Sequence, residues 1–399
     1  MNKYQALTAS ENVLNIIRKY IEDEKKGNKE ARNKAKKELN NYLVKTEDGS
    51  YTLNSNNVNG KSETMHTQHG AITESMEKFV KPARLEEKKK VRILDICSGL
   101  GYNAAACIEY LKEDTEIEVD MVEISKETLA AALFIDNPLQ SYNVVKKAVE
   151  DRLYGEGVLN FKSFHEKTSE KINIKIYIDD ARNVVKHIEG YKYDAIFLDP
   201  FSPLKSPELY SIKFFDFLKN LLNESGVILT YTSAAPVRSS MVQTGLHVGE
   251  GPQFGRKSGG TIASKRPELI EIQLKENDER MIALSDAGIP FRDPKLNGSS
   301  YEIIERRENE RKSVRGIRKF ASTVKTPIYL FKDIEEERLK RRVLKNINAL
   351  GIDNLKSKKA RFIICPQFEE CICECGSQKL DNSRDRITEM MKRLSKITQ

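Results

Sequence analysis

No run of apolar residues in this chain of 399 is long enough to cross a bilayer. The opening Met1-Asn2-Lys3-Tyr4-Gln5 does not lead into the apolar core of a secretory signal either. A membrane or secreted protein is therefore not expected, and a cytoplasmic one is. Cysteine is scarce: there are six, and Cys97 and Cys107 fall inside the segment read below as a sheet, which fits a reduced compartment rather than a disulfide scaffold. Neither G-x-x-x-x-G-K-[ST] nor G-x-G-x-x-G occurs, so a P-loop and the nicotinamide or flavin fingerprint are excluded. Tryptophan is absent, which excludes nothing. Charge is plentiful, at 32% of residues with a net +8, so the chain is basic, though less so than a purely electrostatic nucleic-acid binder. The length allows two or three domains and a sizeable core.

The organising stretch is Val91 to Tyr102, VRILDICSGLGY. An apolar run ends in Asp95, a glycine turn follows (Ser98, Gly99, Gly101), and Tyr102 to Tyr110 is a good helix former. Strand, glycine turn and helix open a doubly wound nucleotide-binding sheet, with the turn placed where a ligand binds. Glu116–Glu123 reads as a second strand, its last residue at the spacing of a ribose-binding acid. Lys175 to Asp179-Asp180-Ala181 gives a third, Tyr193 to Asp199-Pro200-Phe201 a fourth, and Gly226 to Thr232 a fifth. Four of the five strands end in acids at one sheet edge, the pattern of an S-adenosylmethionine-dependent methyltransferase.

Around that sheet, residues 7 to 46 read as a helical pair and Asp48 to Gly60 as a hairpin or loop. His66 and His69 flank a loop that enters a helix from Ala71 to Val80, with Gly70 at its mouth. Capping and packing is one reading of this loop, and closure over a ligand is the other. A zinc site is not expected from two histidines without a third ligand. Three prolines within Asp199 to Tyr210 make a rigid loop at the ligand edge. Ser211 to Leu222 reads as a helix with Phe214, Phe215 and Phe217 in the core, and Thr261 to Ser264 as a strand.

Arg311 to Lys332 holds seven basic residues and no acid. A solvated helix face is the ordinary reading of such a run, but the lack of a balancing acid favours phosphate contact. Near the end, Cys365, Cys371, Cys373 and Cys375 lie within eleven positions. Their C-x5-C-x-C-x-C spacing matches no familiar zinc or iron–sulfur pattern. A cysteine-lined strand packed on the last helix is expected, with no metal, and metal binding by the four thiols is the second reading.

The runs F-L-D-P-F-S-P (197–203), L-T-Y-T-S-A-A-P-V-R (229–238) and F-G-R-K (254–257), with T-M-H-T-Q-H-G-A-I-T-E-S-M from Thr64, resemble the methyltransferase half of the MnmC family, over roughly residues 60 to 300. The resemblance implies an α/β fold: a Rossmann-like class I methyltransferase sheet with helices on both faces, N-terminal helices and a small basic, cysteine-containing C-terminal extension. The segments would be 1–60, 61–264 (the methyltransferase domain), 265–346 (basic, a tRNA contact) and 347–399. It implies a stand-alone, archaeal-type enzyme that methylates the amine of an aminomethyl-uridine at the tRNA wobble position. S-adenosylmethionine would be the donor, and tRNA and the enzyme that makes the aminomethyl precursor the partners. Asp95, Ser98, Gly99 and Gly101 would line the methionine side, Glu123 the ribose, and Asp180 with Ala181 the adenine. Asp199, Pro200 and Phe201 would carry the chemistry, with Ser202, Pro203, Arg238, Arg256 and Lys257 on the substrate. Two departures stand out: Asp95 replaces the family's glutamate, and Pro200 replaces glycine. The second brings the loop closer to the [DN]-P-P-[YF] of enzymes that methylate exocyclic amines. Such an enzyme, a polyamine aminopropyltransferase, and a non-catalytic RNA-binding protein on this scaffold are the alternatives.

Overall fold

The computed structural model describes residues 8–55, 64–165, 168–255 and 259–398. They form two compact units. One comprises Met1–Ser206, Asn220–Tyr231 and Gly251–Gly260, the other Pro207–Lys219, Thr232–Glu250 and Thr261–Gln399. This division cuts across the four segments read from the sequence. The N-terminal helices belong with the sheet, and the basic and cysteine-bearing segments share one unit.

In the first unit five strands run parallel: β1 (Lys90–Ile96), β2 (Glu116–Glu123), β3 (Ile172–Ile178), β4 (Tyr193–Leu198) and β5 (Leu222–Thr230). Their order is β3-β2-β1-β4-β5, reversing direction of travel at β1. Ile96 pairs with Val122 on one side and Leu198 on the other, so Asp95, Glu123 and Asp199 come out at one edge. Every residue of β4 is buried, which explains its apolar run from Ala195 to Leu198, and its one acid, Asp194, accepts from Lys88 Nζ at 2.8 Å and the Arg92 amide at 2.9 Å; β3 alternates and is more exposed. The N-terminal helix α1 (Glu11–Lys25) buries Val13, Leu14, Ile17, Tyr20 and Ile21 at helical spacing, and α2 (Ala31–Leu39) packs beside it.

A short ladder of Val44–Lys45 with Tyr51–Thr52 precedes α3 (Ala71–Ser75), which continues as a π-helical turn, Met76–Val80, and ends at Ala83. Gly70 starts α3 at φ 114°, and a Cβ there would sit 2.0 Å from the Asp48 carboxylate. That carboxylate caps the helix, accepting from the Thr73 amide at 2.8 Å and from its hydroxyl at 2.9 Å. Gly70→Ala is expected to cost about 1–3 kcal/mol in backbone strain alone, and to displace the cap as well. A lower urea midpoint for the sheet unit, relative to an Ala substitution at an exposed loop glycine, checks this.

Helices α4 (Tyr102–Tyr110), α5 (Lys126–Ala131), α6 (Tyr142–Gly155) and α7 (Ala181–His187) follow in the first unit. In the second unit, α8 (Ile212–Leu221) buries Phe214 and Phe215, while Phe217 is half-buried. There follow α9 (Ala235–Gln243), an antiparallel hairpin of β6 (His247–Glu250) with β7 (Thr261–Ser264), then α10 (Glu276–Leu284), α11 (Ser300–Val314), α12 (Glu337–Asn348), α13 (Lys358–Ile364) and α14 (Ser383–Ile397). Asp286, fully buried, accepts from Arg315 at 2.5 Å and the Ser322 amide at 2.6 Å, and forms an ion pair with Arg311 at 3.1 Å. Lys319 donates to the Ala283 carbonyl, and burial pushes its amine down to about 8. The basic run is therefore not a free stripe. Its acids lie outside the window, and Lys312, Arg318, Lys325 and Lys332 are the members left exposed.

The cysteine segment also departs from expectation. Residues 368 to 382 form irregular chain with bends, not a strand. Glu374 at φ 68° and Gly376 at φ 72° break the alternation that would have aimed all the thiols one way.

Candidate active site

The glycine turn is a run of left-handed residues, with Cys97 at φ 62°, Gly99 at 52° and Gly101 at 81°. The amides of Cys97 and Ser98 donate to the Val122 carbonyl at 2.9 and 3.1 Å, which ties the turn to β2. A Cβ on Gly101 would lie 2.6 Å from Val145 Cγ1, so both conformation and space demand glycine. The helix that follows, α4 (Tyr102–Tyr110), carries Asn103 in its first turn.

Asp95 is wholly buried. Its Oδ1 accepts from Asn103 Nδ2 at 3.1 Å, and its Oδ2 meets no donor among the described residues. Burial pushes this carboxyl up to about 7, reinforced by the charge of Glu123 and opposed by Asn103. Glu123, also buried, accepts from the Gly99 amide at 3.1 Å and the Ser125 amide at 3.0 Å. Burial raises its carboxyl against those two hydrogen bonds.

Asp180 caps its helix, Ala181–His187, accepting from the Arg182 amide at 2.9 Å and pairing with the Arg182 guanidinium at 2.8 Å. Ala181 is buried at the first helical position.

Asp199 follows β4 directly, and its amide donates to the Ile96 carbonyl at 3.2 Å. Its half-buried carboxyl is pushed up to about 8. Burial is the main cause, the charges of Glu74 and Asp95 add to it, and Lys78 and Asn103 oppose it. Pro200 is buried, and Phe201, Ser202 and Pro203 are half-buried. The amides of Lys205 and Ser206 donate to the Ser202 carbonyl at 2.7 and 3.0 Å and close the loop.

Two neighbours of Asp199 were not singled out as site residues from the sequence. Lys78 lies in the π-helical turn and donates to Glu74 Oε2 at 2.5 Å, with both side chains buried. Glu74 Oε1 accepts from the Thr67 amide at 2.5 Å. Despite burial, Glu74 is held below the usual carboxylate range, chiefly by Lys78 and then by Thr67. Asn103 is a third such residue, in the first turn of the helix that follows the glycine turn. His66 sits beside this cluster, with Nδ1 3.0 Å from Thr52 Oγ1 and its ring against Tyr102. Burial pushes its imidazole down to about 4, so it is neutral. His69 is exposed, 3.2 Å from Glu47.

Arg238 is corrected by the structure. It is 1% exposed and bound to Thr261 Oγ1 at 3.0 Å, Glu250 at 3.1 Å and Asp278 at 3.2 Å, so it braces the second unit and offers no charge to solvent. Arg256 and Lys257 lie outside the described residues.

Three carboxylates, each with its affinity for protons raised by burial, thus stand at the carboxyl edge of β1, β2 and β4. An acidic, largely dry edge of this kind binds cations and can take up a proton from an amine.

The sequence profile of an S-adenosyl-L-methionine-dependent methyltransferase family matches residues 145–266. The uncharacterized protein MJ0670 of Methanocaldococcus jannaschii is 37% identical over 317 residues, covering 78% of this chain and 85% of that protein. The crystal structure of MNMC2 from Aquifex aeolicus aligns with 32% identity and a TM-score of 0.56, over 68% of this chain and 85% of that one. The tRNA 5-methylaminomethyl-2-thiouridine biosynthesis bifunctional protein MnmC of Leptospira borgpetersenii is 28% identical over 167 residues; the match covers 41% of this chain but a quarter (25%) of that protein's length. Set beside the strand order and the acidic edge, these likenesses place the chain in the MnmC family of methyltransferases, enzymes whose methyl donor is S-adenosylmethionine.

Proposed function

We propose that this methyltransferase acts on tRNA, methylating the amine of an aminomethyl-uridine at the wobble position. The observation that carries the reading is Asp199: a carboxyl at the mouth of the sheet edge, with its proton affinity raised to about 8, next to the buried Glu74–Lys78 pair. The names of the MnmC relatives supply the substrate class. S-adenosylmethionine, when bound, supplies an electrophilic methyl group on a sulfonium. The residues do the rest. A protonated amine has no lone pair, so the acceptor must lose its proton before it attacks. Asp199 as a carboxylate orients the amine and receives that proton, while Pro200 and Phe201 fix its place and Ser202 and Pro203 the turn behind it. Lys78 keeps Asp199 partly ionised near neutral pH, and Glu74 keeps Lys78 in position.

The donor fits the turn. Asp95 Oδ2 is a buried acceptor without a donor among the described residues, and it suits the ammonium of a methionine moiety. Glu123 would hold the ribose, and Ala181 and Asp180 the adenine side. Asp95 takes a proton below about pH 7, and a cationic ligand favours the ionised form. Donor binding near pH 6 should therefore release protons, and affinity should fall as pH drops below 7. Calorimetry in two buffers of different ionisation enthalpy checks this; equal heats in both would remove Asp95 from the site.

On the second unit, Lys312, Arg318, Lys325 and Lys332 and, on α12, Arg338, Arg341, Arg342 and Lys345 are exposed and suit phosphates. Binding of tRNA should weaken linearly in log salt. Replacing the first four by glutamine should flatten the slope by about 0.7–0.9 for each phosphate that is no longer neutralised. The deciding experiment supplies donor labelled in its methyl group together with tRNA from a strain lacking this protein, followed by nucleoside mass spectrometry. Label in a 5-methylaminomethyl-uridine supports the reading. Pro200, shared with loops that methylate exocyclic amines, favours a second reading, and label on adenine or cytosine amines would establish that one instead.

A further inference from the structure

We propose that Cys365, Cys371, Cys373 and Cys375 bind one zinc ion as a closed, structural tetrathiolate site. The four sulfur atoms lie within 4.8 Å of one another. Cys371 Sγ is 3.8 Å from Cys365, 3.8 Å from Cys375 and 4.0 Å from Cys373. Zinc–sulfur bonds of about 2.3 Å in a tetrahedron put the sulfurs about 3.8 Å apart, so these separations suit a single central ion. They are far longer than the roughly 2.05 Å of a disulfide, and a multi-iron cluster would spread its thiolates over a wider polyhedron.

The convergence is built by the chain. Cys365 follows α13, and the other three arrive on a loop turned back by the left-handed residues Glu374 and Gly376. Without those two conformations the alternate cysteines would form one flat row. The groups around the thiols fit a metal-bound, anionic set. The Gly376 amide donates to Cys371 Sγ at 3.3 Å, and Ser377 Oγ lies 2.9 Å from Cys375 Sγ. Arg393, on α14, lies 3.7 Å from Cys375 Sγ and donates to Ser377 Oγ at 3.0 Å. Four thiolates on a divalent ion leave a double negative charge, and Arg393 is placed to offset part of it. Four protein ligands leave no open position, so the ion holds structure and performs no catalysis. What it fastens is the irregular segment 368–382 between α13 and α14, which lacks a ladder of its own.

The test uses the full chain, purified without an affinity tag or chelator. Elemental analysis should find one zinc per chain, and a mercurial that titrates the four thiols should release it all. Cobalt in its place should give the intense visible bands of a tetrahedral thiolate complex. Cys371→Ser with Cys375→Ser should lose the ion, with far-ultraviolet circular dichroism reporting whether the variant folds. If it does not fold, the elemental and thiol-release measurements on the native chain still decide. Absence of zinc with no uptake after reduction and zinc addition would overturn the proposal. So would iron in its place, with or without labile sulfide, or zinc retained in the folded double variant.

Discussion

Replacing Asp199 by asparagine is expected to lower the rate of methyl transfer by about 10²–10⁴-fold, while donor affinity changes no more than a few-fold. The asparagine keeps the shape and can still accept a hydrogen bond from the acceptor amine, but it cannot take up the proton. Its neighbour Asp95, not Asp199, carries the buried acceptor assigned to the donor, which is why the two effects should separate. The native enzyme should show the matching pH dependence. Only the carboxylate accepts a proton, and Asp199 ionises near pH 8, so the single-turnover rate should rise with pH and level off above that value. The charge of Lys78 lowers the proton affinity of Asp199, so Lys78→Met should move this limb to higher pH. A lysine that only packs the helix would change the rate without moving the limb. Rates from rapid-quench experiments across pH, with donor saturating, measure both. Full activity in Asp199→Asn would refute the role.

The parts of this site that could be read in the sequence are those that backbone geometry dictates. A strand that ends in an acid and turns on glycine needs few other residues to be recognised, and β1, β2 and β4 deliver Asp95, Glu123 and Asp199 to one edge as expected. Lys78 and Glu74 look, in sequence, like any surface pair four apart on a helix. Only their burial makes them part of the site, and burial depends on which face of the helix the fold covers. Arg238, Arg311 and Arg315 mislead for the opposite reason. Their charges look free in sequence, but Glu250 and Asp278 pair with Arg238, Asp286 pairs with Arg311 and Arg315, and Glu308 reaches Arg311 from the preceding helical turn. The cysteines carry the same lesson. Their spacing predicts a row on a strand, while one left-handed glutamate, a conformation that residue seldom adopts, gathers them into a cluster.

The largest expected loss of stability lies in the second unit, at Glu279 on α10. This carboxylate is 1% exposed and accepts from Arg386 Nη2 at 2.7 Å, from Arg386 Nε at 3.0 Å and from Gln367 Nε2 at 2.7 Å. Gln367 in turn accepts from Arg280 Nε at 2.7 Å, so the carboxylate anchors both α14 and the start of the cysteine loop to α10. Forming such a pair costs two desolvations, so its net contribution is modest, but removing one partner strands the other. Glu279→Ala leaves the Arg386 guanidinium buried without its counter-charge and should cost about 3–5 kcal/mol. Glu279→Gln keeps the hydrogen bonds and should cost less. Adding Arg386→Met to Glu279→Ala removes the stranded charge and should recover a large part of the loss, since an apolar replacement of a buried pair is often neutral. Urea unfolding of the native chain, Glu279→Ala, Arg386→Met and the double variant closes the cycle. If the double variant is no more stable than Glu279→Ala, packing around α10 rather than the isolated charge accounts for the loss.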